Sequence, residues 1–439
     1  MSKLACNIAG IDSINPFWLA SAPPTDKYIN VVRAFEAGWG GVVWKTLGID
    51  PPVINMSSRY GVHHDRARNV IGINNIELIT DRPLETNLRE IEQIRKEWPD
   101  RVIIGSMMAP LDEKTWKELA IKIANSGVHG IELNLGCPHG MCERGMGSAI
   151  GQVPELIEQT TRWVKEVVDI PVFTKLTPNI TDILVAAEAA LKGGADAVSL
   201  INTVNSIASV DLDVMAPTPT VDGKGTHGGY CGSAVKPIAL HMVGEIARNP
   251  DTRNLQISAI GGIETWRDAA EFIALGASGV QVCTAAMLYG FRIVDDMIAG
   301  LENFLEEKGY ASLSAFQGKA IPNVVNWNEL NINFDTKAFI NEDLCIECGR
   351  CYIACEDTSH QAITMQENAS GGRDFVVIDD ECVGCNLCKH VCPVPDCIDM
   401  RPVENGLPVL TWPEHPKNPQ RIDAVSLESS LVETGENND

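Results

Sequence analysis

The sequence has few aromatic residues, few basic residues and no long apolar run. Phe, Trp and Tyr make up 6% of its 439 residues, and 35 Lys and Arg stand against 58 Asp and Glu, which gives a net charge of −23. Such an acidic surface repels phosphate backbones and anionic headgroups, so neither nucleic acid nor an anionic membrane is an expected partner. No apolar run reaches the roughly 20 residues that a membrane-spanning helix needs.

Two common signals are also missing. The first residues contain no basic segment followed by an apolar core, so we find no export signal and expect a cytoplasmic protein. No G-x-G-x-x-G motif lies between a predicted strand and a predicted helix, so we find no dinucleotide-binding domain for NAD or FAD. The chain does contain 14 cysteines. Without an export signal, metal binding or catalysis is a better-supported use for them than disulfide formation.

Short apolar runs alternate with longer amphipathic runs from residue 17 to about residue 306. The short runs are rich in β-branched residues and too short for helices, which is typical of buried parallel strands. They are residues 17–21, 41–46, 101–108, 130–135, 171–176, 197–203, 256–262 and 279–285. Eight such strand–helix units predict an α/β fold of the (β/α)8 TIM-barrel class, and a doubly wound open sheet is the less favoured alternative.

The pattern divides the chain into four parts. We predict a catalytic barrel over residues 1–310, a connector over 311–335, a ferredoxin-like domain over 336–402 and a polar C-terminal tail over 403–439. Within the barrel, two long connections, 47–80 and 204–232, are expected on the C-terminal face, where barrel enzymes have their active sites.

Eight of the 14 cysteines form two runs with the same spacing, C-x2-C-x2-C-x3-C. The first run is Cys345, Cys348, Cys351 and Cys355, and the second is Cys382, Cys385, Cys388 and Cys392. This doubled run is typical of two [4Fe–4S] clusters, in which the fourth cysteine of each run binds the other cluster. We therefore predict that Cys392 completes the first cluster and Cys355 the second, while Cys397 is a small core residue outside the pattern. A pair of zinc sites is the alternative, but zinc ligands usually occur as two more widely separated C-x-x-C pairs.

Iron–sulfur clusters pass single electrons and carry out no hydride chemistry, so we expect a flavin to link them to a two-electron reaction. The barrel has suitable parts for FMN. Glycine pairs occur in SAIGGIE, which closes the seventh predicted strand, and in GGYCGSAVKP, before a predicted helix, and such loops bind phosphate in many barrels. Lys45 and Lys175 each end an apolar strand, where a lysine either reaches the rim or places a cation beside the flavin. We favour the second interpretation.

Three asparagines are expected on the same face of the barrel. Asn75, Asn134 and Asn202 lie at strand ends or in loops, with Thr203 beside the last of them. An amide both donates and accepts hydrogen bonds, which suits a planar ring with alternating C=O and N–H groups. Each Asn alone is more often a turn former, but together they predict a ligand cradle.

Several of these segments, in the same order and with similar spacing, resemble the dihydropyrimidine dehydrogenases, whose wider relatives are the dihydroorotate dehydrogenases. The matching segments include INPFWLASAPPT, NNIEL, NLGCPHGMCERGMG, KLTPN, NTV, GGYCGSAVKP and the two cysteine runs. The resemblance extends from about residue 4 to about residue 400. The chain looks like the catalytic subunit of the bacterial NAD-dependent type, in which a separate subunit holds FAD, the nicotinamide site and further clusters.

The resemblance implies a role for each candidate residue. Those around FMN would be Ser21, Lys45, Thr46, Lys175, Gly232, Ile260, Gly261, Gly262, Cys283 and Thr284. The pyrimidine would contact Asn75, Asn134, Asn202 and Thr203, and Cys137 would be the proton donor. One departure is Gly136, because the family usually has Ser before the catalytic cysteine.

The implied reaction is the reversible reduction of uracil or thymine to the 5,6-dihydropyrimidine, a step of pyrimidine catabolism. Hydride would pass from FMN N5 to C6, and Cys137 would supply a proton to C5, because a thiol with an ordinary pKa near ~8.5 is protonated at neutral pH. Electrons would arrive through the clusters from a partner subunit that binds FAD and NAD(P)H, and the family implies a homodimer within a heterotetramer. The alternatives are a dihydroorotate dehydrogenase-type enzyme and a non-catalytic electron-transfer subunit.

Overall fold

The computed structural model describes residues 3–420 and divides into two units, which meet in the sequence between Val324 and Val325. This division falls inside the predicted connector, 311–335. Residues 421–439, the end of the predicted polar tail, lie outside the described part of the chain. No helix in the described residues is both long enough and apolar enough to cross a membrane.

The first unit contains a closed barrel of eight parallel strands, as the apolar runs predicted. The strands are Phe17–Leu19, Gly41–Leu47, Val102–Met107, Gly130–Asn134, Val172–Lys175, Ala197–Leu200, Gln256–Ile260 and Gly279–Val282. The last strand pairs with the first, with Val280 opposite Phe17, which closes the barrel. Several strands end earlier than predicted: residues 201–203, for example, follow the sixth strand instead of belonging to it.

Within the described chain, a long helix follows each barrel strand. These helices are Tyr28–Ala37, Leu84–Glu97, Glu113–Asn125, Pro154–Lys165, Ile183–Lys192, Lys236–Arg248, Trp266–Ala274 and Ile293–Glu307. The third begins where the carboxylate of Asp112 accepts a hydrogen bond from the amide of Thr115, 2.8 Å away, which satisfies one of its free N–H groups. Its buried face includes Trp116 and Ile123, and complete burial of such side chains contributes about 1.5–3 kcal/mol each.

A short hairpin closes the N-terminal end of the barrel. Its strands, Cys6–Ile8 and Ile11–Ser13, are antiparallel. Ile8 and Ile11 pack in one apolar cluster with Trp18 and Phe173, which come from the barrel strands. This end is therefore filled with apolar side chains, and a ligand cavity belongs at the opposite end.

The two long connections form a four-stranded antiparallel sheet, which the sequence did not predict. Its strands are Tyr60–His64, Val70–Asn75, Val204–Ser206 and Gly228–Cys231. The third and fourth strands pair with Val204 opposite Tyr230, and the fourth pairs with the second, with Gly229 opposite Asn75. Because these connections follow the second and sixth barrel strands, the sheet covers the C-terminal end of the barrel; we call it the roof sheet.

The second unit is built from two similar halves. The strand Thr336–Ile340 pairs with Ile398–Pro402, and Ile363–Glu367 pairs with Arg373–Val377. Each half also has a short helix, Arg350–Glu356 or Leu387–Val391, directly after the loop that carries the first two cysteines of its run.

Part of the predicted tail is tied to the connector segment. The amide of Ile332 donates to the carbonyl of Leu410 at 2.8 Å, and Asn333 Nδ2 donates to the carbonyl of Pro408 at 2.8 Å. The indole rings of Trp327 and Trp412 lie 6.2 Å apart. Residues 403–412 therefore lie along the surface of this unit.

Candidate active site

One cleft lies where the strand ends of the barrel meet the roof sheet. It encloses about 1190 Å³, including its opening to solvent. Every barrel residue predicted to act in catalysis, substrate binding or cofactor binding lines it: Ser21, Lys45, Thr46, Asn75, Asn134, Cys137, Lys175, Asn202, Thr203, Gly232, Ile260, Gly261, Gly262, Cys283 and Thr284. The fold thus gathers residues that are up to about 260 positions apart in the sequence into one ligand-sized site.

Lys45 is buried and paired with acids in the cleft rather than extended to the rim. Its ammonium forms an ion pair with Glu77 and lies 3.9 Å from a carboxylate oxygen of Asp26. Glu77 also accepts a hydrogen bond from the hydroxyl of Tyr60, and its Oε2 is 3.5 Å from Nε of Arg59. Glu77 was not among the predicted site residues, although it stands in the NNIEL segment close to Asn75.

The second lysine has an acidic partner inside the barrel. Nζ of Lys175 is 3.5 Å from Oε1 of Glu132, whose side chain is completely buried. The other carboxylate oxygen of Glu132 accepts hydrogen bonds from Ser199 at 2.8 Å and Gln281 at 3.1 Å. Burying a lone lysine in an apolar strand is costly, and this carboxylate offsets that cost. An acid inside the apolar run GIELNL was the signal in the sequence.

Asn134 and Asn202 are hydrogen-bonded to each other. Nδ2 of Asn202 donates to Oδ1 of Asn134 at 2.9 Å, and Nδ2 of Asn134 donates to Thr46 Oγ1 at 3.0 Å. The hydroxyl of Thr46 lies 3.0 Å from that of Ser21. These bonds fix the orientation of both amides at the wall of the cleft.

The roof sheet supplies the third asparagine. Asn75 Nδ2 donates to the carbonyl of Gly229 at 2.9 Å. A Cβ atom at Gly229 would lie 2.2 Å from the hydroxyl oxygen of Thr203, so only glycine lets this strand approach Thr203 so closely. The roof sheet and the sixth barrel strand therefore meet at two predicted substrate contacts.

Cys137 lies in the loop after the fourth strand and is 9% exposed. Its Sγ is 3.5 Å from the carbonyl oxygen of His139, and its own carbonyl accepts a hydrogen bond from the amide of Ser148 at 3.0 Å. Burial raises the pKa of the thiol to about 11, although the nearby Lys175 ammonium pulls the pKa down. The thiol is therefore protonated at neutral pH, more firmly than an ordinary pKa would make it.

The loop around Cys137 is held to the segment that follows the second strand of the roof sheet, and it depends on glycine. His139 Nε2 lies 3.1 Å from the carbonyl oxygen of Glu77. Gly147 has φ of +57°, and a Cβ atom there would lie 2.7 Å from the carbonyl oxygen of Cys137. A Cβ atom at Gly136 would lie 2.5 Å from Cβ of Asn202. Gly136, which stands where the family usually has Ser, thus leaves room for Asn202 beside the thiol.

The residues at the seventh and eighth strand ends fit an FMN phosphate and ring. Gly262 has φ of +68°, and a Cβ atom there would lie 2.8 Å from Cβ of Lys236 and 2.9 Å from the carbonyl oxygen of Gly232, so only glycine allows these two loops to approach so closely. Oε1 of Gln281, which lines the cleft, has no hydrogen-bond partner among the described residues and is available to a ligand N–H. Burial raises the pKa of Cys283 to about 12 and also raises that of Cys231, so both thiols stay neutral.

In the second unit the cysteines line two separate cavities. We call the cavity lined by Cys345, Cys348, Cys351 and Cys392 the first cage. We call the cavity lined by Cys382, Cys385, Cys388 and Cys355 the second cage. Each cage receives three thiols from one run and the fourth from the other, which is the grouping that two [4Fe–4S] clusters require. Four soft thiolate donors per cage fit such a cluster.

Comparisons with known proteins agree with this architecture. The model of the family described as dihydroorotate dehydrogenase matches residues 3–305, and that of the 4Fe-4S dicluster domain matches residues 338–400. The chain is 42% identical over 402 residues to the NAD-dependent dihydropyrimidine dehydrogenase subunit PreA of Escherichia coli K12, a match that covers 91% of this chain and 96% of that one.

Two further relatives match fewer residues of the chain and differ in name. The chloroplastic dihydropyrimidine dehydrogenase (NADP(+)) of Arabidopsis thaliana is 41% identical over 327 residues, which is 72% of this chain and 77% of that one. The catalytic subunit of dihydroorotate dehydrogenase B (NAD(+)) from Thermococcus kodakarensis is 36% identical over 322 residues, 73% of this chain and 99% of that one. The resemblance seen in the sequence is therefore confirmed, and the chain belongs to the dihydroorotate dehydrogenase family of flavin-binding oxidoreductases, with a 4Fe-4S dicluster domain after its barrel.

Proposed function

We propose that this chain reduces uracil or thymine to the 5,6-dihydropyrimidine, reversibly, with FMN in the barrel cleft and a [4Fe–4S] cluster in each cage. The observation that carries the proposal is the group of fixed amides around one buried thiol: Asn134 and Asn202 are hydrogen-bonded to each other, and both line the cleft with Cys137. The names of the dihydropyrimidine dehydrogenases among the relatives agree with it.

When bound, FMN supplies hydride, which would go to C6 of the pyrimidine. The residues of the chain would bind and orient the flavin and the pyrimidine. Lys175 offers a cation at the floor of the cleft, held by Glu132, and stabilises negative charge that develops on the reduced ring. The amides of Asn75, Asn134 and Asn202 complement the alternating C=O and N–H groups of a pyrimidine.

Cys137 completes the reaction by giving its proton to C5. Two electrons and one proton arrive at C6 as hydride, one proton arrives at C5 from the thiol, and the thiolate that remains takes a proton from water. Burial raises the pKa of this thiol, so the acid form is present throughout the neutral range. A positioned acid of this kind contributes about 10²- to 10⁴-fold to a rate.

The charges of the cleft favour a neutral pyrimidine over orotate, the substrate of the first alternative. Orotate carries a carboxylate at C6 and needs a cation that is not already paired. Among the described residues that line the cleft, the lysines are Lys45 and Lys175, and each already has an acidic partner, Glu77 or Glu132. Glu77 also lines the cleft and would repel the carboxylate of orotate.

Electrons would reach the barrel through the two cages from a partner that binds FAD and NAD(P)H. The word subunit in the name of the Escherichia coli relative agrees with such a partner. A homodimer within a heterotetramer and a cytoplasmic location stay predictions. The second alternative, a non-catalytic electron carrier, would not need Cys137 and the asparagines in one cleft.

The test is single turnover without the partner. The purified chain, with FMN and clusters bound, is photoreduced under anaerobic conditions and mixed with uracil or, separately, with orotate. We expect uracil to reoxidise the flavin and dihydrouracil to appear in the mass spectrum, with little reaction of orotate. Reaction of orotate alone would support the dihydroorotate dehydrogenase alternative. If neither compound reoxidised the flavin, the result would support the alternative of a non-catalytic electron carrier.

A further inference from the structure

The two halves of the second unit are related position by position. The amide of Asn341 donates to the carbonyl of Cys397 at 2.8 Å, and the amide of Ile378 donates to the carbonyl of Ala362, also at 2.8 Å. In each case the acceptor directly precedes a strand, Ile398–Pro402 or Ile363–Glu367. Cys397 in one half therefore occupies the position that Ala362 occupies in the other.

This position faces a cage in both halves. Cys397 lines the first cage together with its four cysteines, and Ala362 lines the second cage. Both are buried, each 2% exposed. The first cage thus contains a fifth thiol that the second cage lacks, and this thiol is outside the C-x2-C-x2-C-x3-C pattern.

The fifth thiol shares this small cavity with two ligand cysteines from different runs, Cys345 and Cys392, which also pack against the same buried cluster. Its Sγ lies 3.7 Å from the carbonyl oxygen of Asn341, a long contact with a neutral acceptor. When the ligands are thiolates, they are charged acceptors and attract an S–H group more strongly than a distant neutral carbonyl does.

In the second cage, a backbone N–H donates a hydrogen bond to a ligand sulfur. The amide of Ala362 donates to Sγ of Cys355 at 3.3 Å, so a backbone N–H reaches the thiolate that the first run contributes. At the matching position, the amide of Cys397 points to the carbonyl of Val394, 3.4 Å away, and not to a sulfur. A side-chain S–H in the first cage can therefore take the part that a backbone N–H plays in the second.

We propose that Cys397 is a fifth thiol of the first cage that donates its S–H to the ligand thiolates and makes the cluster there easier to reduce. Reduction adds negative charge to a cluster and its sulfurs, so a donor to those sulfurs stabilises the reduced form more than the oxidised form. Cys397 is a positioning residue and not a ligand. This proposal rests on clusters filling the cages, but not on the pyrimidine as substrate.

The test compares matched changes at the two related positions. Cys397→Ala makes the first cage resemble the second, and Ala362→Cys places a thiol in the second cage. The two clusters of the intact chain are titrated with a reductant and followed by electron paramagnetic resonance. In Cys397→Ala we expect one transition to move to more negative potential, with the ratio of reduced to oxidised cluster at fixed potential lower by roughly fivefold to tenfold. In Ala362→Cys we expect the other transition to move to more positive potential.

Cys397→Ser separates the donor from the packing. Its hydroxyl can still donate, so its transition should stay nearer to that of the wild type than the transition of Cys397→Ala does. Equal shifts in the Ala and Ser variants would assign the effect to side-chain volume and overturn the proposal. Unchanged potentials, or equal movement of both transitions in one variant, would also overturn it. Loss of half of the iron in Cys397→Ser would make Cys397 a ligand, which also overturns it. None of these outcomes depends on whether uracil is reduced, so the proposed function is tested separately.

Discussion

The barrel cleft and the cysteine cages differ in how far apart in the sequence their residues lie. The cleft collects side chains from Ser21 to Thr284, whereas the cages take their cysteines from within 345–397. The cleft orients its groups through ion pairs and amide hydrogen bonds that exist only after folding, and the cages rely on a spacing repeated in two short loops. Chemistry that must distinguish substrates is thus built from the whole fold, while electron transfer needs only local ligand sets.

Among changes in the cleft, we expect the largest effect from removal of the proposed proton donor. Cys137→Ala should slow reoxidation of the photoreduced flavin by uracil by about 10²-fold or more, because no other donor takes over the proton transfer. FMN and iron contents should stay at wild-type levels, since the thiol holds neither. Cys142→Ala, in the same loop, is the matched control and should keep most of the rate. A Cys137→Ala variant with an unchanged rate would remove the thiol from the mechanism.

A second effect tests the buried ion pair beneath the cleft. Lys175→Met leaves the completely buried Glu132 without its cation and should lower the free energy of unfolding by about 3 kcal/mol. Lys175→Met combined with Glu132→Gln should regain most of that stability without regaining FMN affinity. Urea unfolding and flavin fluorescence measure the two quantities. If the double variant bound FMN as tightly as the wild type, Lys175 would have only a structural role.

The barrel and the cages were predictable because both leave a periodic signal. Eight apolar strands with helices between them indicated the barrel, and the repeated cysteine spacing indicated how the cages share their fourth thiols. The roof sheet gave no such signal, because strands such as Val204–Ser206 and Gly228–Cys231 are short and polar or glycine-rich. Its pairing depends on contacts between two distant connections.

The two acids that pair with the lysines of the cleft were not predicted from the sequence, for a related reason. Glu77 and Glu132 matter because of the lysines they neutralise, Lys45 and Lys175, and these pairings join residues that only the folded barrel brings together. The sequence showed lysines at strand ends but not their partners. The raised pKa of Cys137 was also invisible, since it results from burial under a loop and not from its neighbours in the sequence.

A third prediction sharpens the account of the cages. If Cys355 completes the second cage, Cys355→Ser and Cys385→Ser should each remove about half of the iron, and their combination should remove no more. Cys355→Ser combined with Cys345→Ser should remove nearly all of it, because the two changes then affect different cages. Iron analysis of the purified chains decides the matter. If Cys355→Ser with Cys385→Ser removed nearly all of the iron, and Cys355→Ser with Cys345→Ser removed only half, each run would hold its own cluster.

The smallest effect concerns pH. In the proposed reduction the neutral thiol of Cys137 would be the reacting form, and this form is present below its pKa, which burial raises to about 11. The rate of flavin reoxidation by uracil should therefore stay flat from pH 7 to pH 9 and fall only at higher pH, while oxidation of dihydrouracil, which needs the thiolate, should rise with pH. A fall of the uracil rate centred near ~8.5, the ordinary thiol pKa, would contradict a buried acid.

In the proposed function, the barrel performs the chemistry and the cages only deliver electrons. The most direct measurement uses the full chain with Cys382→Ser and Cys385→Ser, which disable the second cage, loaded with FMN and photoreduced without oxygen. The account predicts that uracil reoxidises this flavin and yields about one dihydrouracil per reduced flavin, although turnover driven by an electron-donating partner is lost. If FMN is bound and reduced but no dihydrouracil forms, the cages take part in the chemistry itself and the division between the two regions is wrong.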